Sequence, residues 1–217
     1  MRKVFLISAF LGFALSGNAQ VTLQGAESLG TLTFRKSPEF KDESILGSKY
    51  ITEEFHYAKV NNGTDSFLIR YNAHRDVMEY KSANEILELI KEQNTHFIFS
   101  DGTVYELLSS PSGGNQYHKI LSDKKDIKLS KHSSIKLEQA KPAINSYDTD
   151  SPASFKRNRD VYYITINGKT TEFDGKQRSV RALFPNKNSE IKNFFKNNRI
   201  RNTDEDMIKL GNFLATL

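Results

Sequence analysis

The chain has 217 residues, 37% of them hydrophobic and 26% charged, with a formal net charge of +5. That size fits one ordinary folded domain, or one domain with a small appendage. The complete absence of cysteine excludes disulfides, thiol catalysis and thiolate metal ligation, and the charge is too mild to argue for nucleic acid as a partner.

Residues 1–19 read as a cleavable export signal. Arg2 and Lys3 give a positive start, Val4 to Leu15 (VFLISAFLGFAL) are apolar, and Gly17-Asn18-Ala19 put small residues before a new terminus at Gln20. The apolar run is too short to cross a bilayer core of roughly 30 Å as a helix. No cysteine follows it to carry a lipid, and no later stretch is long and apolar enough for a transmembrane segment. The expected location is periplasmic, with the extracellular space as the alternative.

Residues 20–48 read as a polar N-terminal extended segment with one strand-like stretch, Thr31 to Phe34. From 49 to 139 the pattern is that of an antiparallel β domain: short apolar runs divided by turn residues. Tyr50 to Val60, Phe67 to Tyr71 and Val77 to Lys81 form the first strands, with Asn62-Gly63 as a hairpin signal because both residues tolerate positive φ. Ala83 to Gln93 has helix formers and apolar residues at Ile86, Leu87 and Ile90, yet its setting in a meander favours a strand over Ile86 to Leu89. Thr95 to Ser100 and Thr103 to Leu108, joined by Asp101-Gly102, form the cleanest hairpin. Ser109 to Asn115 is a loop, and Tyr117 to Leu121, Ile127 to Leu129 and Ile135 to Leu137 continue the meander. Two prolines and clustered Ser, Asp and Asn mark 140–158 as a linker.

The last unit, 159–217, is expected to be a hairpin followed by helices. Val161 to Ile166 and Lys169 to Phe173 flank Asn167-Gly168. Val180, Leu183 and Phe184 share one helical face, and Ile191, Phe194 and Phe195 mark a second helix. Thr203 with Asp206 resembles a capping box, and Met207, Leu210, Leu214 and Leu217 make one helical stripe. The expected fold class is therefore α+β: a mostly antiparallel β-meander, as a curved sheet, open barrel or sandwich, followed by a β-hairpin and about three short C-terminal helices.

The stretch Phe67-Leu68-Ile69-Arg70-Tyr71-Asn72, a short turn, then Asp76-Val77-Met78-Glu79-Tyr80 resembles a family of uncharacterised exported proteins of Bacteroidota. That family shows a strand ending in Arg-Tyr-Asn, a turn, then Asp-x-Met-Glu. The C-terminal part is similar too: Tyr162-Tyr163 opening a strand, a helix ending near Phe184, a basic helix over Lys192 to Ile200, and an Asp204-Glu205-Asp206 helix near the terminus. The resemblance spans most of the chain after the signal, and only Asn212-Phe213-Leu214 depart from a more aromatic ending. It implies a periplasmic or surface role and no particular activity. The C-terminus reads as helical rather than as the Ig-like sorting domain common in that phylum, which favours the periplasm.

A catalytic set is not assembled in the sequence. The histidines at 56, 74, 96, 118 and 132 lack the local spacing of a metal pair, although Glu53, Glu54 and His56 are close and Glu54 and His56 would share a strand face. There is no Gly-x-Ser-x-Gly, and Gly113-Gly114 lies between strands rather than between strand and helix. Asp76 and Glu79 could serve as an acid/base pair. Their simpler roles are a turn residue bonding the backbone and an ion pair with Arg70 across the sheet. Asn62-Gly63-Thr64 matches a glycosylation acceptor and reads as a turn.

One asymmetry remains. Arg178, Arg181, Lys192, Lys196, Arg199 and Arg201 cluster in the C-terminal helical region, where Glu190 is the one acid between Lys176 and Arg201. These six are the candidate ligand- or partner-binding residues, the partner being an envelope protein or an anionic envelope component. The competing account is a solvated helical face, offset in part by Asp204 to Asp206. The expected function is a non-catalytic exported binding or interaction protein without catalytic residues, metal or cofactor. Two alternatives stand beside it: a carrier holding a lipid or other apolar ligand in a β half-barrel, and a hydrolase using Asp76, Glu79 or a histidine.

Overall fold

The computed structural model describes residues 21–22, 32–37, 45–61, 63–83, 85–143 and 149–217. The expected signal 1–19, Asn62 of the glycosylation match and residues 144–148 of the expected linker lie outside them. The chain is α+β. Its strands are β1 (Val21–Thr22), β2 (Thr33–Lys36), β3 (His56–Val60), β4 (Ser66–Asn72), β5 (Val77–Lys81), β6 (Ile86–Leu89), β7 (His96–Phe99), β8 (Val104–Ser109), β9 (Asn115–Lys124), β10 (Ile127–His132), β11 (Ile135–Glu138), β12 (Ser154–Arg157), β13 (Val161–Ile166) and β14 (Lys169–Glu172). Three helices follow: α1 (Gln177–Leu183), α2 (Asn188–Asn197) and α3 (Asp204–Leu214).

Twelve of the strands form one antiparallel sheet in the order β1-β2-β6-β5-β4-β3-β7-β8-β9-β10-β13-β14. Among the described residues β1 and β14 each have one neighbour, so the sheet is open rather than a closed barrel. Opposed residues share a face of a pleated sheet. The pairs Phe34↔Leu89, Tyr80↔Leu87, Tyr71↔Met78 and Ala58↔Phe99 therefore stand on one side, where they build a first apolar cluster with Phe97, Leu107 and Tyr117. A second cluster on the same side joins Leu121, Leu129, Ile164 and Phe173 to Val180, Ile191, Met207, Leu210 and Leu214 of the helices. Each such aliphatic side chain, when fully buried, contributes roughly 1.5–3 kcal/mol.

Local chemistry sets the helix positions. Thr203 caps α3 by accepting from the Asp206 N–H at 3.2 Å, and Asp204, Glu205 and Asp206 occupy the first turn, where the helix dipole favours acids. Met207, Leu210 and Leu214 turn inward, and Gly211 lets the helix lie close on Ser122 and Leu129 of the sheet. The expected stripe holds to Leu214; Leu217 lies beyond the helix end. In α1 Val180 is buried while Leu183 is 38% exposed, so the expected three-residue face is carried by Val180 and the half-buried Phe184.

The residues 83–93 contain strand β6, paired on one side with β5 and on the other with β2. Four boundaries differ from expectation. Tyr50 to Phe55 is not strand: the Arg70 guanidinium lies 3.6 Å from the Tyr50 ring centre and 4.0 Å from that of Phe55, and it donates to the Glu53 carbonyl, so the segment folds over Arg70. The segment 20–48 supplies β1 and β2 to the main sheet. The linker 140–158 contains β12, which pairs with β11 and draws that strand out of the meander into a two-stranded ribbon. Finally, the C-terminal hairpin is no appendage, because β13 pairs with β10 from Ile127↔Ile166 to His132↔Val161 and extends the same sheet.

Candidate functional site

The Arg70-Tyr71-Asn72 to Asp76–Glu79 hairpin is used up by its own packing. Arg70 and Glu79 are direct cross-strand partners, joined at 2.6 Å, and the Glu79 side chain is fully buried. Glu79 also accepts from Tyr50 at 2.9 Å and from Asn72 at 2.7 Å. Asp76, in the left-handed region at φ 53°, does not bond its own turn. Asn72 does that, accepting from the His74 and Arg75 N–H groups at 3.1 Å. Asp76 reaches across to accept from the Tyr117 N–H at 3.1 Å and the Tyr71 hydroxyl at 2.8 Å, and Lys91 completes its shell. Burial and the Asp76 charge push the Tyr71 phenol far up. Asp76 and Glu79 thus serve separate networks and do not converge as an acid/base pair.

The histidines range from exposed to buried, with His74 and His96 half-buried. His56 is exposed beside Glu54. His118 and His132 face each other across β9 and β10 with ring centres 5.7 Å apart, a proximity invisible in their spacing along the chain. His118 bonds Ser130 through Nδ1 at 3.1 Å, while its Nε2 is buried without a partner. Burial, then the neighbouring His132, pushes the His118 pKa down to about 3. Among the described residues no group of three His, Asp or Glu side chains is placed to hold a metal ion.

Arg178, Arg181, Lys192, Lys196, Arg199 and Arg201 are all exposed. Val180 and Ile191 anchor α1 and α2 on the second cluster, so helical periodicity turns Arg178, Arg181, Lys192 and Lys196 outward, while Arg199 and Arg201 lie in the connection from α2 to α3. Arg181 donates to the Asn188 side chain at 2.7 Å, and Glu190 lies 3.7 Å from Lys187. Among the described residues none of the six makes an ion pair within 4.0 Å. Arg178 and Arg181 border an open groove of about 410 Å³ with Pro185 and Asn188. Of the acids expected to offset this face, Asp204 is engaged with Lys131 at 2.5 Å and Lys119 at 3.1 Å, Asp206 accepts from the Arg201 backbone N–H at 3.0 Å, and Glu205 is exposed.

A second feature has no counterpart in the sequence expectations. Tyr105, Lys119 and Lys131 stand in register across β8, β9 and β10, a polar row between the two apolar clusters. It borders a pocket of about 190 Å³ that also meets Tyr71, Phe99, Glu54, His56 and Asp101. The row is assembled from three strands, and its signal is a pattern break: lysine at 119 between inward Tyr117 and Leu121, and at 131 after inward Leu129.

Comparison with protein-family models, curated proteins and solved structures finds no match for this chain.

Proposed function

We propose that this is an exported, non-catalytic binding protein of the cell envelope that docks on an anionic envelope component through Arg178, Arg181, Lys192, Lys196, Arg199 and Arg201. The observation that supports it is the exposure of all six cations with no ion pair to any of them among the described residues. Near an anionic surface each such side chain contributes about 1 kcal/mol, so six together suffice for reversible attachment, and salt weakens it. The N-terminal basic-apolar-small segment supports export to that compartment.

The geometry favours this over the two alternatives. The pocket is small and edged by lysine, carboxylate and imidazole groups, which suits an acyl chain poorly. Asp76 and Glu79 are each held in structural networks.

Sedimentation with vesicles tests the reading. Binding to vesicles containing anionic phospholipid, none to zwitterionic vesicles, release by high salt, and loss in an Arg178→Gln/Arg181→Gln/Lys192→Gln/Lys196→Gln variant of unchanged Tm are the expected results. Equal binding to both vesicle types, or an unaffected variant, would overturn it.

A further inference from the structure

The polar row poses a problem that its own neighbours solve only in part. Lys119 and Lys131 are direct cross-strand partners, and like charges so placed repel. Asp204 bridges them from the first turn of α3, at 3.1 Å and 2.5 Å. Asp160 lies 3.5 Å from Lys131, but it also pairs with Arg157 at 2.9 Å. Asp101 is also near enough to Lys119 to feel its charge, so Lys119, Lys131 and Arg157 face Asp204, Asp160 and Asp101 and the charges balance. An ammonium carries three donors, so Lys119 has N–H groups left over after its single bond to Asp204.

The same pocket also presents carboxylates. Glu54 is exposed and makes no hydrogen bond or ion pair among the described residues. Asp101 uses Oδ1 to accept from the Thr103 N–H at 2.8 Å. The rings of Tyr71, Phe99 and Tyr105 line the pocket as well. The Tyr105 hydroxyl has no partner among the described residues; burial first, then the Asp204 and Asp160 charges, pushes its pKa up to about 12, so it stays a donor.

We propose that this pocket binds an acidic monosaccharide: a single hydroxyl-bearing ring carrying one carboxylate or phosphate. The anionic group accepts from the N–H groups left over at Lys119, the ring hydroxyls donate to Glu54 and Asp101, the Tyr105 hydroxyl donates to a ring oxygen, and the pocket's aromatic rings cover the C–H face. The volume sets the size. A cavity of about 190 Å³ is below the roughly 300 Å³ where pockets for drug-sized molecules begin, so it takes one sugar and not a chain. This site is on the sheet, separate from the basic helical face, and neither proposal depends on the other.

The test is a ¹H–¹⁵N titration of the purified chain with D-glucuronate and D-glucose 6-phosphate. Glucose supplies the ring without charge, acetate and inorganic phosphate supply the charge without a ring, and glutamate supplies a zwitterion of similar size. Saturable shifts at Thr103, Tyr105, Lys119 and Lys131 are expected with one of the two acidic sugars, at least about tenfold tighter than with any other probe. The acidic sugar that binds identifies the anionic group. Tyr105→Phe and Glu54→Gln, which remove groups without structural partners, are expected to weaken binding several-fold with Tm unchanged. The Arg178→Gln/Arg181→Gln/Lys192→Gln/Lys196→Gln variant is expected to bind as the parent does, which separates this site from vesicle docking. An equal response to acetate or phosphate, a preference for glutamate, no saturable shift, or undiminished binding by both pocket variants would overturn the proposal.

Discussion

Glu79 and Glu88 stand directly opposite each other on β5 and β6, and neither side chain is exposed to solvent. Two carboxylates so placed would repel in a medium of low dielectric. Each is matched instead by arginine. Arg70 holds Glu79, while Arg35 at 2.9 Å and Arg75 both hold Glu88, with Ser37 adding a bond at 3.3 Å. The sheet thus contains a buried ionic seam whose members depend on one another.

The seam predicts unequal costs for its arginines. Arg70→Ala leaves Glu79 buried without a cation and is expected to destabilise by about 3–5 kcal/mol. Arg35 is 56% exposed and Arg75 remains on Glu88, so Arg35→Ala is expected to cost below about 1 kcal/mol. Urea unfolding of the two variants measures the difference; equal midpoints would mean that the seam is not coupled to folding.

A second prediction concerns pH. His118 is neutral in the fold, its pKa held at about 3 against an ordinary 6.5, first by burial and then by His132. The unfolded chain binds this proton near pH 6.5 and the folded chain does not, so stability rises with pH across the interval. This contribution is present in full above pH 6.5 and is lost as the pH falls toward 3, at up to about 1.4 kcal/mol per unit. His118→Phe keeps a ring beside Tyr163, 4.7 Å away, while Ser130 loses a partner. It is expected to lower the urea midpoint at pH 7.5 and to flatten the fall between pH 6.5 and 4.5. A variant whose midpoint falls with pH as steeply as the parent's would place the acid sensitivity elsewhere.

What the sequence made legible was local. Asn167 and Gly168 at φ 50° and 76° close the β13–β14 turn, and Thr203 caps α3, because each needs only neighbouring residues. The Arg70–Glu79 pair was readable for the same reason, with one short turn between its strands. The partnership of β2 with β6 and of β11 with β12 was not, because register between distant strands depends on which apolar faces meet and not on any residue pattern within one strand. The six cations were found by composition, since exposed charge needs no tertiary information. The Tyr105–Lys119–Lys131 row needed three strands aligned before its members could be seen as neighbours.

Gly211 tests the seat of α3. Alanine is ordinarily preferred to glycine inside a helix by about 1 kcal/mol. Here an added Cβ would meet the Ser122 Cβ at 2.6 Å and Leu129 Cδ1 at 3.2 Å. The Ser122 Cβ is fixed to the strand backbone and cannot swing away, so crowding of about 1–3 kcal/mol outweighs the helix preference. Gly211→Ala is expected to lower Tm, and Ser122→Gly in the same chain to restore part of the loss. Additive effects of the two changes would mean that they do not touch.

Asp204 is the last point of dependence. Burial raises its pKa, but hydrogen bonds and charge from Lys131 and Lys119 outweigh that and hold it below the ordinary 3.8. Its contribution is therefore present above pH 3.8 and lost as the pH falls through the depressed value. Asp204→Asn removes two partly exposed ion pairs and an acid from the first turn of α3, and leaves Lys119 and Lys131 facing each other. The expected loss is about 1–2 kcal/mol at pH 7, shrinking in acid as the parent's own carboxylate protonates. Because the penalty comes partly from repulsion between the lysines, Lys119→Met is expected to cost less in the Asp204→Asn background than in the parent. Denaturation of the four members of this cycle measures the coupling, and strict additivity would show that Asp204 acts on the helix alone and not on the lysine pair.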